Sequence, residues 1–172
     1  MGLYAGYVKN FNAIEALIAT LMADSAANAH ALSELVRRKS FEFGGMRLHE
    51  LYFSQFEGPA ANPDAESGLG SALVRQFGSI DAALEAVRQC ALMRGPGWSL
   101  LYFDAEAGVF HVGFSGEQHQ GHFATLPVLL ALDVWEHTYI LDYGAAGKAK
   151  YVDAFFKNVN WSVVETRFAA LG

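Results

Sequence analysis

Apolar positions in the first third of the chain recur at intervals of three and four residues. Ile14, Leu17, Ile18 and Leu21, followed by Leu32, Leu35 and Val36, form the stripe that an amphipathic helix turns toward a neighbour. The pattern predicts one helix interrupted between Ala23 and Ala29. A companion is predicted from about Gly45 to Phe56, with Leu48, Leu51, Tyr52 and Phe56 on one side, so that the two pair as a hairpin. The run Gly58-Pro59-Ala60-Ala61-Asn62-Pro63-Asp64 is rich in helix breakers and marks a lobe boundary.

Beyond it, Leu69 to Phe77 reads as a helix, and Ser79 can cap another from Ile80 to Gln89. The period then changes. Trp98 to Phe103 and Val109 to Phe114 are rich in strand formers, and Asp104-Ala105-Glu106-Ala107-Gly108 joins them as a hairpin. The continuous apolar run Val128 to Leu132 suits a buried third strand, and the segments from Tyr151 and from Ser162 return to helix. The chain thus reads as α+β, with a helical hairpin lobe over residues 1–60 and an α/β lobe over residues 64–172.

Composition narrows the options. A length of 172 residues fits one compact unit or two small lobes, and 52% hydrophobic content is ample for a packed core. The single cysteine, Cys90, excludes an internal disulfide framework and reads as a small core residue. A formal charge of -6 argues against nucleic acid as a partner. No apolar segment is as long as a membrane span, and the start lacks the basic and apolar regions of a signal peptide, so a cytoplasmic protein without a membrane partner is expected.

The candidate chemistry lies directly behind the third strand, in Asp133-Val134-Trp135-Glu136-His137. Asp supplies a hard anionic oxygen and His a borderline nitrogen, a mixture suited to iron, manganese or zinc more than to calcium or magnesium. Two such residues at i and i+4 share a face if helical, and they also converge where a strand ends in a turn. A solvated helix face would carry the same pair, so the spacing alone does not decide.

The flanks carry a resemblance. Asp133 to Tyr143, read as DVWEHTYILDY, is similar to the pattern DVWEHAYYLDY of the iron/manganese superoxide dismutase family. Tyr151-Val152-Asp153-Ala154-Phe155-Phe156 and Val159-Asn160-Trp161 resemble the family's Tyr-Val-x-x-Phe-Trp and Val-Asn-Trp segments. Phe77-Gly78-Ser79 and Gly95-Pro96-Gly97-Trp98 stand where the family has FGS and GSGW. The resemblance covers almost the whole chain. It implies an N-terminal α-helical hairpin followed by an α/β lobe with a three-stranded antiparallel sheet flanked by helices. It also implies disproportionation of superoxide to dioxygen and hydrogen peroxide on one redox-active iron or manganese ion, a task for which zinc would be inert.

Carried over residue by residue, the resemblance makes His49, Asp133 and His137 metal ligands. The family's first ligand histidine precedes a Tyr-Val-x-Asn segment, here Tyr7-Val8-Lys9-Asn10, and counting back places it just ahead of Met1. The expectation is an incomplete chain, with a native three-ligand variant as the alternative. For this chain as given, weakened metal retention and reduced activity are expected. Tyr7 corresponds to the family's gateway tyrosine and would deliver protons through solvent. Leu3 and Ile140 stand where many members have a histidine and a tyrosine bonded across the subunit interface; losing both partners together can be nearly neutral.

A further donor to metal-bound solvent is a glutamine or histidine carried on either lobe. The first-lobe position is Gly45, which has no side chain, so the donor is expected from Glu117-Gln118-His119-Gln120. Ungapped counting from Asp133 selects Gln118, whereas the local pairing His119-Gln120 resembles members that use histidine. His119 is preferred, and with it iron over manganese. Trp98, Trp135, Tyr52 and Phe53 would wall the site. Glu136 would bond His137 of a second chain, which predicts a homodimer, with a tetramer as the larger alternative. Lys148 would attract the superoxide anion. His30, His111 and His122 have no family counterpart. The alternative function is a metal-binding or structural dimer of the same family without turnover.

Overall fold

A computed structural model describes residues 2–172. Helices α1 (Gly2–Leu21) and α2 (Ala29–Ser54) pack along each other as a hairpin. Their polar contacts give the direction: Tyr4 Oη donates to Glu50 at 3.1 Å, Asn10 Nδ2 to Glu42 at 3.4 Å, and Lys39 pairs with Glu15 at 2.8 Å. As one partner advances the other retreats, so the helices are antiparallel. Tyr4, Tyr7, Phe11, Ile14, Ile18 and Leu21 are half-buried at alternating intervals of three and four, and Leu17 is exposed. The apolar face of α1 is therefore narrower than predicted.

The hairpin turn also sits elsewhere. No break separates Val36 from Gly45; α2 runs for 26 residues from Ala29. The turn lies at the predicted interruption, where Asp24 and Asn28 provide side chains that compete with helix bonds. Asp24 Oδ1 accepts from Ala27 N at 3.1 Å, and Asn28 Nδ2 donates to the carbonyls of Leu21 and Asp24 at 3.2 and 2.9 Å. The segment after α2 is pinned from a distance. Asn160 takes the carbonyl of Gln55 through its backbone N–H at 2.8 Å and that of Glu57 through its side chain at 2.7 Å.

Helix α3 (Gly68–Phe77) is capped by Ser67 and closed by Gly78 in the left-handed region. Ser79 then caps α4 (Ile80–Ala91), as its position predicts, by accepting from Ala82 N at 3.1 Å. Cys90 is only half-buried near the end of α4, and burial pushes its thiol up from the ordinary range. Strands β1 (Gly97–Asp104), β2 (Val109–Gly116) and β3 (Val128–Asp133) form an antiparallel sheet in the order β2-β1-β3. After a short α5 (Ile140–Tyr143), α6 (Lys148–Asn158) and α7 (Trp161–Ala169) complete the chain. This is the predicted α+β order.

Strand geometry assigns the faces. Successive side chains point to opposite sides of a sheet, so Trp98, Leu100 and Tyr102 of β1 share one face and pack with Leu48 of α2 and Ala131 of β3. Leu101 and Phe103 of β1 and Leu130 and Leu132 of β3 join the larger core beneath α3, α4, α6 and α7. Both edge strands receive a glutamine amide from a helix. Gln55 Nε2 donates to Ala131 O at 2.6 Å and its Oε1 accepts from Ala131 N at 3.2 Å. Gln76 does the same for Phe110, at 2.8 and 2.6 Å. Arg167 takes the carbonyl of Leu129 at 2.6 Å. None of the described helices is long and apolar enough to cross a membrane.

Candidate metal centre

Asp133 is the last residue of β3 and shares the face of Ala131, which turns it toward α2. In register it pairs with Trp98 of β1. Its Oδ1 accepts from Trp135 N at 3.0 Å, which closes the chain into a tight turn before the 3₁₀ segment Glu136–Thr138. That turn returns His137 to the strand end, with Nε2 3.1 Å from Asp133 Oδ2. Of the two geometries compatible with the i, i+4 spacing, the chain adopts the strand end with a turn.

His49 reaches the same oxygen from α2, its Nε2 3.6 Å away. Its Nδ1 lies 2.6 Å from the carbonyl oxygen of Gly45. A carbonyl only accepts, so Nδ1 carries the proton and the lone pair on Nε2 faces the carboxylate. Burial lowers the His49 pKa, against the pull of Asp133. His49 is 3% exposed and Asp133 1%. Two buried acceptors thus confront each other with no proton between them, the arrangement a cation would relieve. Among the described residues these three side chains form a group able to hold a metal ion, with candidate ligand atoms all within 4.8 Å of one another. A mixed nitrogen and oxygen donor set of this kind fits iron or manganese. A cavity of about 400 Å³ opens beside them, lined also by Gly2, Leu3 and Thr138.

Aromatic rings surround the cluster. Trp98 meets His49 edge to face with centroids 5.1 Å apart, Tyr7 and Phe53 flank the same imidazole at 5.3 and 5.9 Å, and Trp135 stacks on His137 at 6.3 Å. Phe53 is nevertheless about half exposed, so that side of the wall is open within a single chain. Tyr52 backs the wall and bonds Tyr151 through their hydroxyls at 3.1 Å. The Trp135 indole nitrogen is buried without an acceptor among the described residues.

Gln118, not His119, faces this shell. Gln118 is fully buried; its Oε1 accepts from Trp98 Nε1 at 2.7 Å and its Nε2 donates to Tyr7 Oη at 2.9 Å. The cause is the turn after β2. Glu117 adopts φ 52, and paired backbone bonds between Gly116 and Gln120, at 2.9 and 3.1 Å, close the loop so that Gln118 points inward. The His119 side chain packs against Phe41 and lines another cavity with Arg37 and Arg38. The preference for His119 is thus corrected to the residue that ungapped counting selects. Burial pushes the Tyr7 hydroxyl above its ordinary pKa, the charges of Asp133 and Glu42 add to this, and the bond from Gln118 opposes it.

Two other expected residues lie apart. Lys148 Nζ donates to Met93 O at 2.6 Å and lines a separate cavity with Arg94 and Glu136. Its ammonium is held at this backbone carbonyl, outside the group formed by His49, Asp133 and His137. Glu136 is exposed and makes no ion pair within the chain among the described residues.

The pair Gly44-Gly45 carries a signal that the periodicity conceals. A Cβ on Gly44 would be driven into the carbonyl oxygen of Gln118, and one on Gly45 would lie 2.5 Å from Tyr7 Cδ1. Two adjacent glycines inside a helix cost about 1 kcal/mol each relative to alanine; here they let α2 approach both Tyr7 and the Gln118 loop. Gly6 of α1 has nothing within 4 Å of a built Cβ and serves as a control. Gly6→Ala is expected to stabilise by about 0.5–1 kcal/mol. Gly44→Ala is expected to destabilise by about 1–2 kcal/mol, because overpacking of about 1–3 kcal/mol outweighs the same propensity gain. Denaturant midpoints of the two variants should move in opposite directions, and a stabilised Gly44→Ala protein would show that the loop yields freely.

Comparison with known proteins agrees with this geometry. The family described as iron/manganese superoxide dismutases, C-terminal domain, matches residues 65–167. A protein named superoxide dismutase [Fe] from Cupriavidus metallidurans is 39% identical over 171 residues, covering 97% of this chain and 83% of the relative. One of the same name from Saccharolobus solfataricus is 30% identical over 170 residues, covering 96% and 80%. A protein named superoxide dismutase [Mn] 1 from Halobacterium salinarum is 32% identical over 170 residues, with the same coverage. The chain belongs to the iron/manganese superoxide dismutase family.

Proposed function

We propose that this chain disproportionates superoxide, with one iron or manganese ion held by His49, Asp133 and His137 between the helical hairpin of residues 1–60 and the α/β lobe of residues 64–172. Two superoxide anions and two protons yield one dioxygen and one hydrogen peroxide, so one anion is oxidised and the other reduced. The bound ion supplies the one-electron exchange. The observation that carries the reading is the pair of buried acceptors, His49 Nε2 and Asp133 Oδ2, 3.6 Å apart.

The side chains supply orientation and protons. The Gly45 carbonyl fixes the His49 tautomer so that Nε2 is free for a ligand. Trp98 fixes the Gln118 amide, leaving one N–H of its Nε2 beyond the one given to Tyr7. Tyr7, kept protonated by burial, holds a proton next to the shell. The aromatic wall shields the cluster on the Tyr7, Trp98 and Trp135 sides, and the open Phe53 side leaves a path for the small anion. With Gln118 inward, the preference for iron drawn from His119 loses its basis, and elemental analysis of protein grown with both metals decides between them.

The same reading includes a two-fold dimer in which Glu136 meets His137 of the second copy, with the exposed apolar residues Leu3 and Ile140 covered in the contact. A monomer by sedimentation at micromolar concentration would remove this part. The enzymatic reading is tested by loading the protein with iron or manganese and following superoxide decay. Accelerated decay is expected, with the metal held less firmly than a fourth protein ligand would hold it, as the three candidate ligands imply; stoichiometric metal without accelerated decay would establish the alternative of a metal-binding dimer lacking turnover.

A further inference from the structure

The loop that delivers Gln118 is fixed by a histidine that has no part in the metal cluster. His122 lies at the end of this loop, and its ring spans three groups. Nδ1 is 2.9 Å from Tyr102 Oη on β1, Nε2 is 3.2 Å from Ser115 Oγ on β2, and Nε2 is 3.4 Å from the carbonyl oxygen of Gln118. Tyr102 is 1% exposed and Ser115 fully buried.

The partners assign the tautomer. The Gln118 carbonyl only accepts, so Nε2 carries the proton, and Nδ1 accepts from the Tyr102 hydroxyl. Burial raises the Tyr102 pKa to about 12, so that hydroxyl keeps its proton to give. The bonds then run in one direction: Tyr102 to His122, His122 to the Gln118 backbone and Ser115, and the Gln118 side chain to Tyr7. On the opposite side, the same Gln118 carbonyl abuts Gly44. The loop is held between a helix that lacks a Cβ and an imidazole that donates.

We infer that His122 is a positioning residue, whose Nε2–H holds the Gln118 backbone so that its amide reaches Trp98 and Tyr7. This rests on the reading of Gln118 as the inward donor of the proposed dismutase site. The test is read on metal-free protein, so a failure of dismutation leaves it intact, and a failure here leaves the metal cluster intact.

The probe is the Trp98 indole N–H, one of three in the chain, identified in the ¹H–¹⁵N spectrum by its loss in Trp98→Phe. In His122→Ala its hydrogen exchange should speed up about fivefold to tenfold, the equivalent of one lost hydrogen bond of about 1 kcal/mol. In His122→Gln, whose amide places an N–H near the former Nε2, exchange should return to the wild-type rate. His122→Asn, which reaches only the Nδ1 position, should not restore it. A merely structural role would affect all three variants alike. Unchanged exchange in His122→Ala, or equal acceleration in His122→Gln and His122→Asn, overturns the assignment. If His122→Ala does not fold, Tyr102→Phe removes the hydroxyl that fixes the ring, and an unchanged Trp98 exchange rate in that variant overturns it as well.

Discussion

Replacing Asp133 by asparagine is expected to move metal affinity and the stability of the metal-free protein in opposite directions. The substitution keeps the shape and keeps Oδ1 as the acceptor for Trp135 N. It replaces the oxygen facing His49 Nε2 and His137 Nε2, at 3.6 and 3.1 Å, with an amide that can donate. In the metal-free protein the confrontation between carboxylate and bare imidazole nitrogen becomes a hydrogen bond, and a buried charge without a cation disappears. A gain of about 1–2 kcal/mol is expected. Metal binding loses its only anionic donor among the three candidate ligands, so affinity should fall beyond the roughly 10–100-fold that a lost supporting partner costs. Denaturant melts of metal-free protein and chelator competition on loaded protein read the two effects separately. A less stable metal-free Asp133→Asn protein would mean that Asp133 serves the fold and is not held in strain for a cation.

Gln55→Leu is expected to cause the largest loss of stability. The Gln55 amide is fully buried and bonds both peptide groups of Ala131 on the outer edge of β3. Leucine fills a similar volume but orphans a buried N–H and a buried C=O, at about 1–3 kcal/mol each. Its more favourable transfer from water returns about 1–2 kcal/mol. A net loss of about 2–4 kcal/mol follows. The same amide ties α2, which carries His49, to β3, which carries Asp133. Metal affinity should therefore fall as well, by about tenfold or more, although Gln55 touches no candidate ligand. Stability within about 0.5 kcal/mol of wild type would show that water replaces the amide at Ala131.

The parts of this centre that follow a local period were legible in the sequence. The run Val128 to Leu132 forecast a buried strand, and its length placed Asp133 at the strand end; the i, i+4 spacing brought His137 back to it. The hairpin was legible as two helices, but its turn was misplaced, because apolar spacing does not distinguish a glycine pair that permits close approach from one that ends a helix. The choice between Gln118 and His119 depended on whether the loop after β2 contained a positive φ, and Glu117 gives no sign of that. Gln55, Gln76 and His122 lie outside any periodic pattern. Their roles come from partners 76, 34 and 20 residues away, and an unaccompanied glutamine in a helix carries no local mark of what it will bond. The double glycine at 44 and 45 was the one overlooked signal, since two adjacent poor helix formers in a helix face call for a tertiary reason.

The glutamines on the sheet's two outer strands also bear on how copies of this chain meet. A small open sheet offers unpaired backbone groups to any passing strand and is a template for aggregation. Here a side-chain amide already occupies Ala131 on one rim and Phe110 on the other, each in the slot that an incoming strand would need. An added strand would have to expel a buried amide at either rim before its ladder could run in register. Self-association by sheet extension is thereby blocked at both ends, and contact between copies is left to side-chain surfaces.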